Sequence, residues 1–396
     1  GTFSKTFEAI PDQHLDEIRR QAKLVDAKLT MHGPLEEPSG FSSGQGGSEW
    51  NEENRKHVER QFSQAMERAH KLDPDGNIVV TLHSTNALPE MLQREKVKGK
   101  EVVKGVWVVN SRNGSVGQLK EQKRYFPQEK GEEKYSFDPD GEIRKINRDN
   151  WINELNEPVR SLDFADQSGT RAFRGQISEA DEKVYEDVQS GKISINNLPE
   201  EVKEKVESLK GIKRSEDAYL RQAYSKIKNL YDEAYHSANE SDKKKLGEFR
   251  NFVNENWDDV ESRKPNLTVL RNVIEKGIDT LNNIENEPVL YERLQDFIVD
   301  KSADTFSSVA MNSYKKFGKS APIISIENPP AGQGLSRAKD MKELVDASQE
   351  KFIEKLRKDG HSASESKAIA EKIIGVTWDV GHINMIRKFG YDEKDL

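Results

Sequence analysis

Residues 321–334 read APIISIENPPAGQG. From Pro322 to Glu327 the run is short, nearly all apolar and rich in isoleucine, the pattern of a strand buried on both faces of a parallel sheet. Pro329 and Pro330 end it, and Gly332 and Gly334 allow a tight passage out of the strand. A helix then follows, marked by Met341, Leu344, Val345, Phe352 and Leu356. The unit is therefore strand, glycine-containing loop and helix, with Glu327 at the C-terminal end of the strand.

Working outward, the same rhythm appears three more times. Downstream, Ser362 and Glu365 have the spacing of a capping box before a short helix. IIGVTWDVGH at 373–382 then reads as a strand whose end bears Asp379 and His382. Upstream, PDQHLDEIRRQAKLVDA at 11–27 places Leu15, Ile18, Ala22 and Val25 at helical spacing, and KLTMHG at 28–33 is a short strand ending near His32. A loop rich in Gly, Ser and Pro follows to Ser48. Asn51 to Lys71 is an amphipathic helix with Val58, Phe62, Ala65, Met66 and Ala69 on one face. DPDGN turns the chain into IVVTLHS at 78–84, a buried strand ending at His83.

Between the second and third of these strands lie roughly 200 residues of another character, far beyond the few residues of an ordinary α/β connection. VVKGVWVVN and VGQLKEQKRYF flank SRNGS, whose Asn113-Gly114 pair is a hairpin signal. Residues 126–175 are charged and turn-rich, with an Asp-Pro-Asp-Gly turn at 138–141, and read as partly irregular. Ser178 to Glu261 is polar helix carrying Tyr219, Tyr224, Ile227, Leu230, Tyr231 and Tyr235, and helical periodicity resumes over 267–284 and 287–317.

Parallel strands converge their C-terminal ends on one rim, so His32, His83, Glu327, Asp379 and His382 meet there if the strands share one sheet. Imidazoles and carboxylates supply lone pairs for Zn²⁺ or Mn²⁺. One such residue alone is more often structural; the joint strand-end pattern is the stronger signal. His14, His57, His70, His236 and His361 lie on expected helices or their boundaries and read as non-ligands.

LTMHGPLEEPSG, VVTLHS, ISIENPPAGQG and GVTWDVGH together resemble four successive strand-end motifs of the xylose isomerase-like barrel superfamily, most closely its endonuclease IV-like branch. That resemblance implies a partial (β/α)8 TIM barrel, about strands 2–5, interrupted by a large, mostly helical insertion with a β-hairpin. The expected division is residues 1–95 and 287–396 as two parts of the barrel and 96–286 as an inserted α+β subdomain. By the same comparison one strand precedes Gly1 and three follow Leu396, so the remaining barrel strands are expected from a missing or separate polypeptide segment. The implied metal ligands are His32, His83, Glu327, Asp379 and His382, with Glu327 bridging two ions and taking the catalytic role. Asn328 and Gln333 of the same motif are the implied substrate contacts. The segment has one residue more between Asn328 and Ala-Gly-Gln-Gly than the family form, and Ser-Thr follows His83 where the nuclease often has Pro-Gly.

Composition limits the choices. The 396 residues hold no cysteine, which excludes disulfides and thiolate metal sites. Lys+Arg 62 against Asp+Glu 70, a formal charge of -8, argues against a general polyanion binder but leaves room for one basic face. The locally basic segments 94–104 and 120–124 read first as a solvated hairpin and second as a contact to a nucleic-acid backbone. No run of about twenty apolar residues occurs, and the expected location is cytoplasmic, away from membranes. Trp50, Trp107, Trp151 and Trp257 read as structural, and Trp378 as packing beneath helices.

Three functions follow as expectations. The first is divalent-metal-dependent phosphodiester hydrolysis at abasic or damaged DNA, with zinc the first choice of ion and manganese the second. Isomerisation or epimerisation of a small sugar is the alternative enzyme reading. A non-catalytic barrel, whose insertion meets a protein partner, is the third.

Overall fold

The computed structural model describes residues 10–42, 49–86, 88–97, 100–121, 137–173 and 178–389. In chain order the elements are α1 (Asp12–Leu24), β1 (Thr30–His32), β2 (Phe41–Ser42), β3 (Glu49–Trp50), α2 (Glu52–Leu72), β4 (Val79–His83), β5 (Leu92–Val97), β6 (Lys100–Asn110), β7 (Val116–Lys120) and α3 (Pro139–Phe173). There follow α4 (Glu179–Gln189), α5 (Glu200–Ser237), α6 (Glu240–Glu255), α7 (Trp257–Val260), α8 (Leu267–Asn282), β8 (Tyr291–Arg293), α9 (Leu294–Phe317), β9 (Ile323–Glu327), α10 (Ala338–Lys358), α11 (Ala363–Ile373), β10 (Ile374–Thr377) and α12 (Val380–Asn384). The chain forms two compact units, residues 1–143 with 290–396 and residues 144–289.

The first unit is built on a parallel sheet of order β1-β4-β9-β10. With its interspersed helices and the large helical insertion, this is a partial (β/α)8 barrel. Alternation along the strands divides the sheet chemically. Val80, Leu82, Ile324, Ile326 and Ile374 are fully buried among Phe62, Met66, Phe306 and Phe352 of α2, α9 and α10. Thr81, Ser325 and Thr377 occupy the opposite face, where the Ser325 and Thr377 hydroxyls hydrogen-bond. His83 and Glu327 continue this polar face by the same alternation. Helix α9 comes close to its neighbours because Ser302, Ala303, Ser307 and Ala310 are small and fully buried.

Two glycines are dictated by contact. A Cβ on Gly33, directly after β1, would lie 2.3 Å from Leu82 Cδ2. Gly40 has φ +91, and its Cβ would lie 2.6–2.9 Å from Arg55 backbone and side-chain atoms. Both permit the loop after β1 to lie flat against the core.

A second, antiparallel sheet joins β5, β6 and β7, with β8 also paired to β6. The hairpin expected around Asn113-Gly114 is present, with Gly114 at φ +72. The expected subdomain boundary at 95/96 falls inside β5. The first compact unit runs on to Ile143, with strand pairing binding the hairpin to β8 and Val109 belonging to the main core. The reading of 126–175 as partly irregular is corrected for residues 139–173, which form α3; residues 122–136 lie outside the described residues. Pro139 is the first helical residue, where its missing N–H costs nothing, and Asp138 Oδ1 accepts from Asp140 N.

The second unit is helical. Leu220, Ile227, Leu230, Leu246, Leu270, Val273, Ile274 and Leu281 are fully or almost fully buried in one core. Gly277 admits Ile227 and Phe249, whose atoms lie 2.7 and 2.9 Å from where its Cβ would stand. Among the described residues no helix of either unit is long and apolar enough to cross a membrane.

Candidate metal centre

Strand register assembles the rim. His83 is the direct neighbour of Glu327 across β4 and β9, Thr377 neighbours Glu327 from β10, and His32 neighbours Thr81 from β1. The backbone N–H of Ser84 donates to Glu327 O at 2.9 Å, which carries the alignment one residue beyond the strands. All five residues expected at the rim are brought together. His32, His83 and Glu327 form one cluster, and Glu327, Asp379 and His382 a second, each offering ligand atoms within 4.8 Å of one another. Glu327 belongs to both and is only 8% exposed.

Hydrogen bonds fix how the imidazoles are presented. His32 Nδ1 lies 2.9 Å from Gly33 O, and His382 Nδ1 lies 2.8 Å from Asn328 O. A carbonyl oxygen only accepts, so each Nδ1 carries the proton and each neutral ring keeps a bare lone pair on Nε2. His32 Nε2 then faces Glu327 Oε2 at 3.4 Å, and His83 Nε2 faces the same oxygen at 3.0 Å. In the neutral ring of His32 this sets two acceptors against each other, which a cation between them would reconcile; in the imidazolium the Nε2–H donates to Glu327 instead. Two ligands at about 2.0–2.2 Å on a tetrahedral ion stand roughly 3.3–3.6 Å apart, so the spacing suits such an ion. The rings of His32 and His83 meet edge to face at 5.1 Å, and those of His83 and His382 at 5.9 Å.

The second cluster is held by a helix start. Asp379 caps α12, its Oδ1 accepting from Gly381 N at 2.6 Å and His382 N at 3.2 Å. The His382 backbone bond, with that from Gly381 and the nearby His382 and His83 rings, holds the Asp379 carboxyl below its ordinary range. Oδ2 lies 3.4 Å from His382 Nδ1. At His83, burial pushes the imidazole pKa down, against the opposing pull of Glu327. Both shifts favour the forms that donate lone pairs at neutral pH.

Asn328 is 1% exposed, and both ends of its amide are used. Oδ1 accepts from Asp379 N at 2.7 Å, and Nδ2 donates to Asp379 O at 3.2 Å. This geometry engages the side chain with the Asp379 backbone. Gln333 lies in the loop after β9 and bridges to Pro89 of the β4 loop, while Gly334 N donates to Leu88 O at 2.8 Å. Gly332, at φ +90, makes the expected tight connection.

Other expectations meet mixed outcomes. In the basic hairpin Arg94 pairs with Glu90 and Glu101, and Lys104 with Glu121 at 2.5 Å, so these charges are answered within the protein. Residues 98, 99 and 122–124 of those basic segments lie outside the described residues. Trp378 is 42% exposed just beyond β10, against its expected packing beneath helices, while Trp151 is buried. Sequence reasoning missed Glu37, a buried carboxylate in the loop after β1. Nothing local distinguishes it from Glu36; its partners Thr85 and Asn86 are 48 and 49 positions away.

The chain matches no protein-family model, no curated protein and no solved structure.

Proposed function

We propose that the rim holds two divalent ions bridged by Glu327, zinc first and manganese second, and that the chain is a metal-dependent phosphodiester hydrolase resembling endonuclease IV. The observation that carries this reading is the single carboxylate shared by two clusters, one completed by His32 and His83 and the other by Asp379 and His382. Ions held there would supply Lewis-acid polarisation of a phosphoryl oxygen and activation of water at neutral pH. The protein's own part is positional. His32 and His83 hold one end, Asp379 and His382 the other, and Glu327 fixes the spacing between them. The His32 side chain is 49% exposed, which suits an open rim approached by a large substrate more than a sealed pocket for a small sugar.

The test is incubation of the full chain and an end-labelled duplex containing one abasic site with Zn²⁺ or Mn²⁺. Strand scission at the abasic position, lost on chelation and restored by adding metal back, is the expected result. An intact duplex in the presence of bound metal would count against the hydrolase reading while leaving the metal centre standing.

The Asn328 clamp gives a second expectation. Replacing Asn328 with alanine removes the brace on Asp379, and loss of such outer support typically costs 10–100-fold in metal affinity, so about tenfold is expected at the Asp379–His382 end. Zn²⁺ calorimetry should show one weakened and one unaltered equivalent. Two equally weakened equivalents would contradict the assignment.

A further inference from the structure

The loop after β1 contains a buried carboxylate with no ion-pair partner among the described residues. Glu37 is 7% exposed. Its Oε1 accepts from Ser39 Oγ at 2.5 Å and Ser39 N at 3.3 Å; its Oε2 accepts from Thr85 Oγ1 at 2.6 Å and Asn86 N at 2.7 Å. Ser39 and Thr85 are fully buried, and Asn86 Nδ2 returns a bond to Leu35 O at 2.9 Å. Four donors therefore converge on two oxygens. Two donors come from the loop after β1, and two from residues that follow His83 by two and three positions.

We propose that Glu37 is a positioning residue for the His32–His83 end of the rim, tying the β1 and β4 loops together so that the two imidazoles face one oxygen of Glu327. The proposal rests on the reading of that rim as a metal centre.

The strands alone position His32 weakly. β1 has three residues and lies at the outside of the sheet, paired only to β4. Beyond the bond from Gly33 N to Thr81 O at 2.9 Å, the two segments are joined by the bond from Asn86 Nδ2 to Leu35 O and by the Thr85 and Asn86 donors to Glu37. The far end of the loop is secured to a helix and a strand: Thr305 Oγ1 of α9 donates to Pro38 O at 2.8 Å, and Trp50 Nε1 of β3 donates to Ser39 O at 2.9 Å. Glu37 thus fastens an anchored loop to the segment directly beyond His83. A carboxylate taken out of water is a costly way to close a loop unless its bonds are all made, and a fully satisfied buried network specifies one arrangement. Asp379 and His382 receive no bond from this knot; they are braced by Asn328.

That separation provides the test. Zn²⁺ is titrated calorimetrically into full-length His382→Ala, which retains the His32–His83–Glu327 cluster, and into His83→Ala, which retains Glu327, Asp379 and His382. Adding Thr85→Val, which deletes one donor to Glu37 with little change of shape, should weaken Zn²⁺ binding about tenfold in the first background. Thr85→Ser, which keeps the hydroxyl, should restore it, and the second background should be unaffected by Thr85→Val. Glu37→Gln should exceed the Thr85→Val effect; should it fail to fold, the Thr85 pair decides. An unaltered affinity in the His382→Ala background, or equal weakening in both, overturns the proposal. Absence of Zn²⁺ binding by the unmodified chain would instead remove the metal reading on which it rests.

Discussion

Glu327→Ala should abolish both Zn²⁺ equivalents together, with affinity falling by more than the hundredfold that marks the upper range for an outer-sphere loss. The reason is the sharing: His32 and His83 face its Oε2, and the cluster of Asp379 and His382 includes it as well. Removing any histidine should spare one end, whereas removing Glu327 spares neither. Glu327→Gln is the companion variant, since it keeps the shape and loses the charge and should behave like the alanine variant in metal binding. Cleavage of the abasic duplex should fall to background in both. Calorimetry and the scission assay read these outcomes, and a Glu327→Ala chain that still binds two ions would contradict the bridging role.

Phe306→Ala should cost the first unit about 3–5 kcal/mol, the range for truncating a fully buried aromatic. Phe306 of α9 and Phe62 of α2 are both fully buried and stack at 6.0 Å with planes 15° apart. The same core carries Ile324 and Ile326, the outward face of the strand that ends in Glu327. A cavity here therefore weakens the layer behind the rim without touching any ligand. Urea unfolding should show a lowered midpoint for the first unit with Zn²⁺ affinity retained under native conditions. A loss below about 1 kcal/mol would mean that this layer repacks rather than leaving a void. Because the chain has two compact units, separate transitions are to be followed rather than one.

The sheet and the rim were legible because their information is local. IIGVTWDVGH and APIISIENPP each place a side chain with lone pairs at the end of an apolar run, and strand convergence does the rest. The long connection announced an insertion by its length alone. Its details were less accessible: the Asp-Pro-Asp-Gly at 138–141 looks like a turn, yet Pro139 opens a helix, since proline at a first helical position and proline in a turn have the same local chemistry. The short β8 was invisible because its pairing with β6 comes from distant residues. The braces of the rim are non-local in the same way. Asn328 looks like a substrate group in its motif and becomes a clamp only when Asp379, 51 positions later, arrives beside it. Glu37 has meaning only beside Thr85 and Asn86.

The most direct measurement is anomalous diffraction at the zinc edge from crystals of the full chain grown with Zn²⁺. The account predicts two peaks about 3.5–4 Å apart on either side of the Glu327 carboxylate, one against His32 and His83 and the other against Asp379 and His382. A crystal with zinc present and no anomalous peak at Glu327 would contradict it.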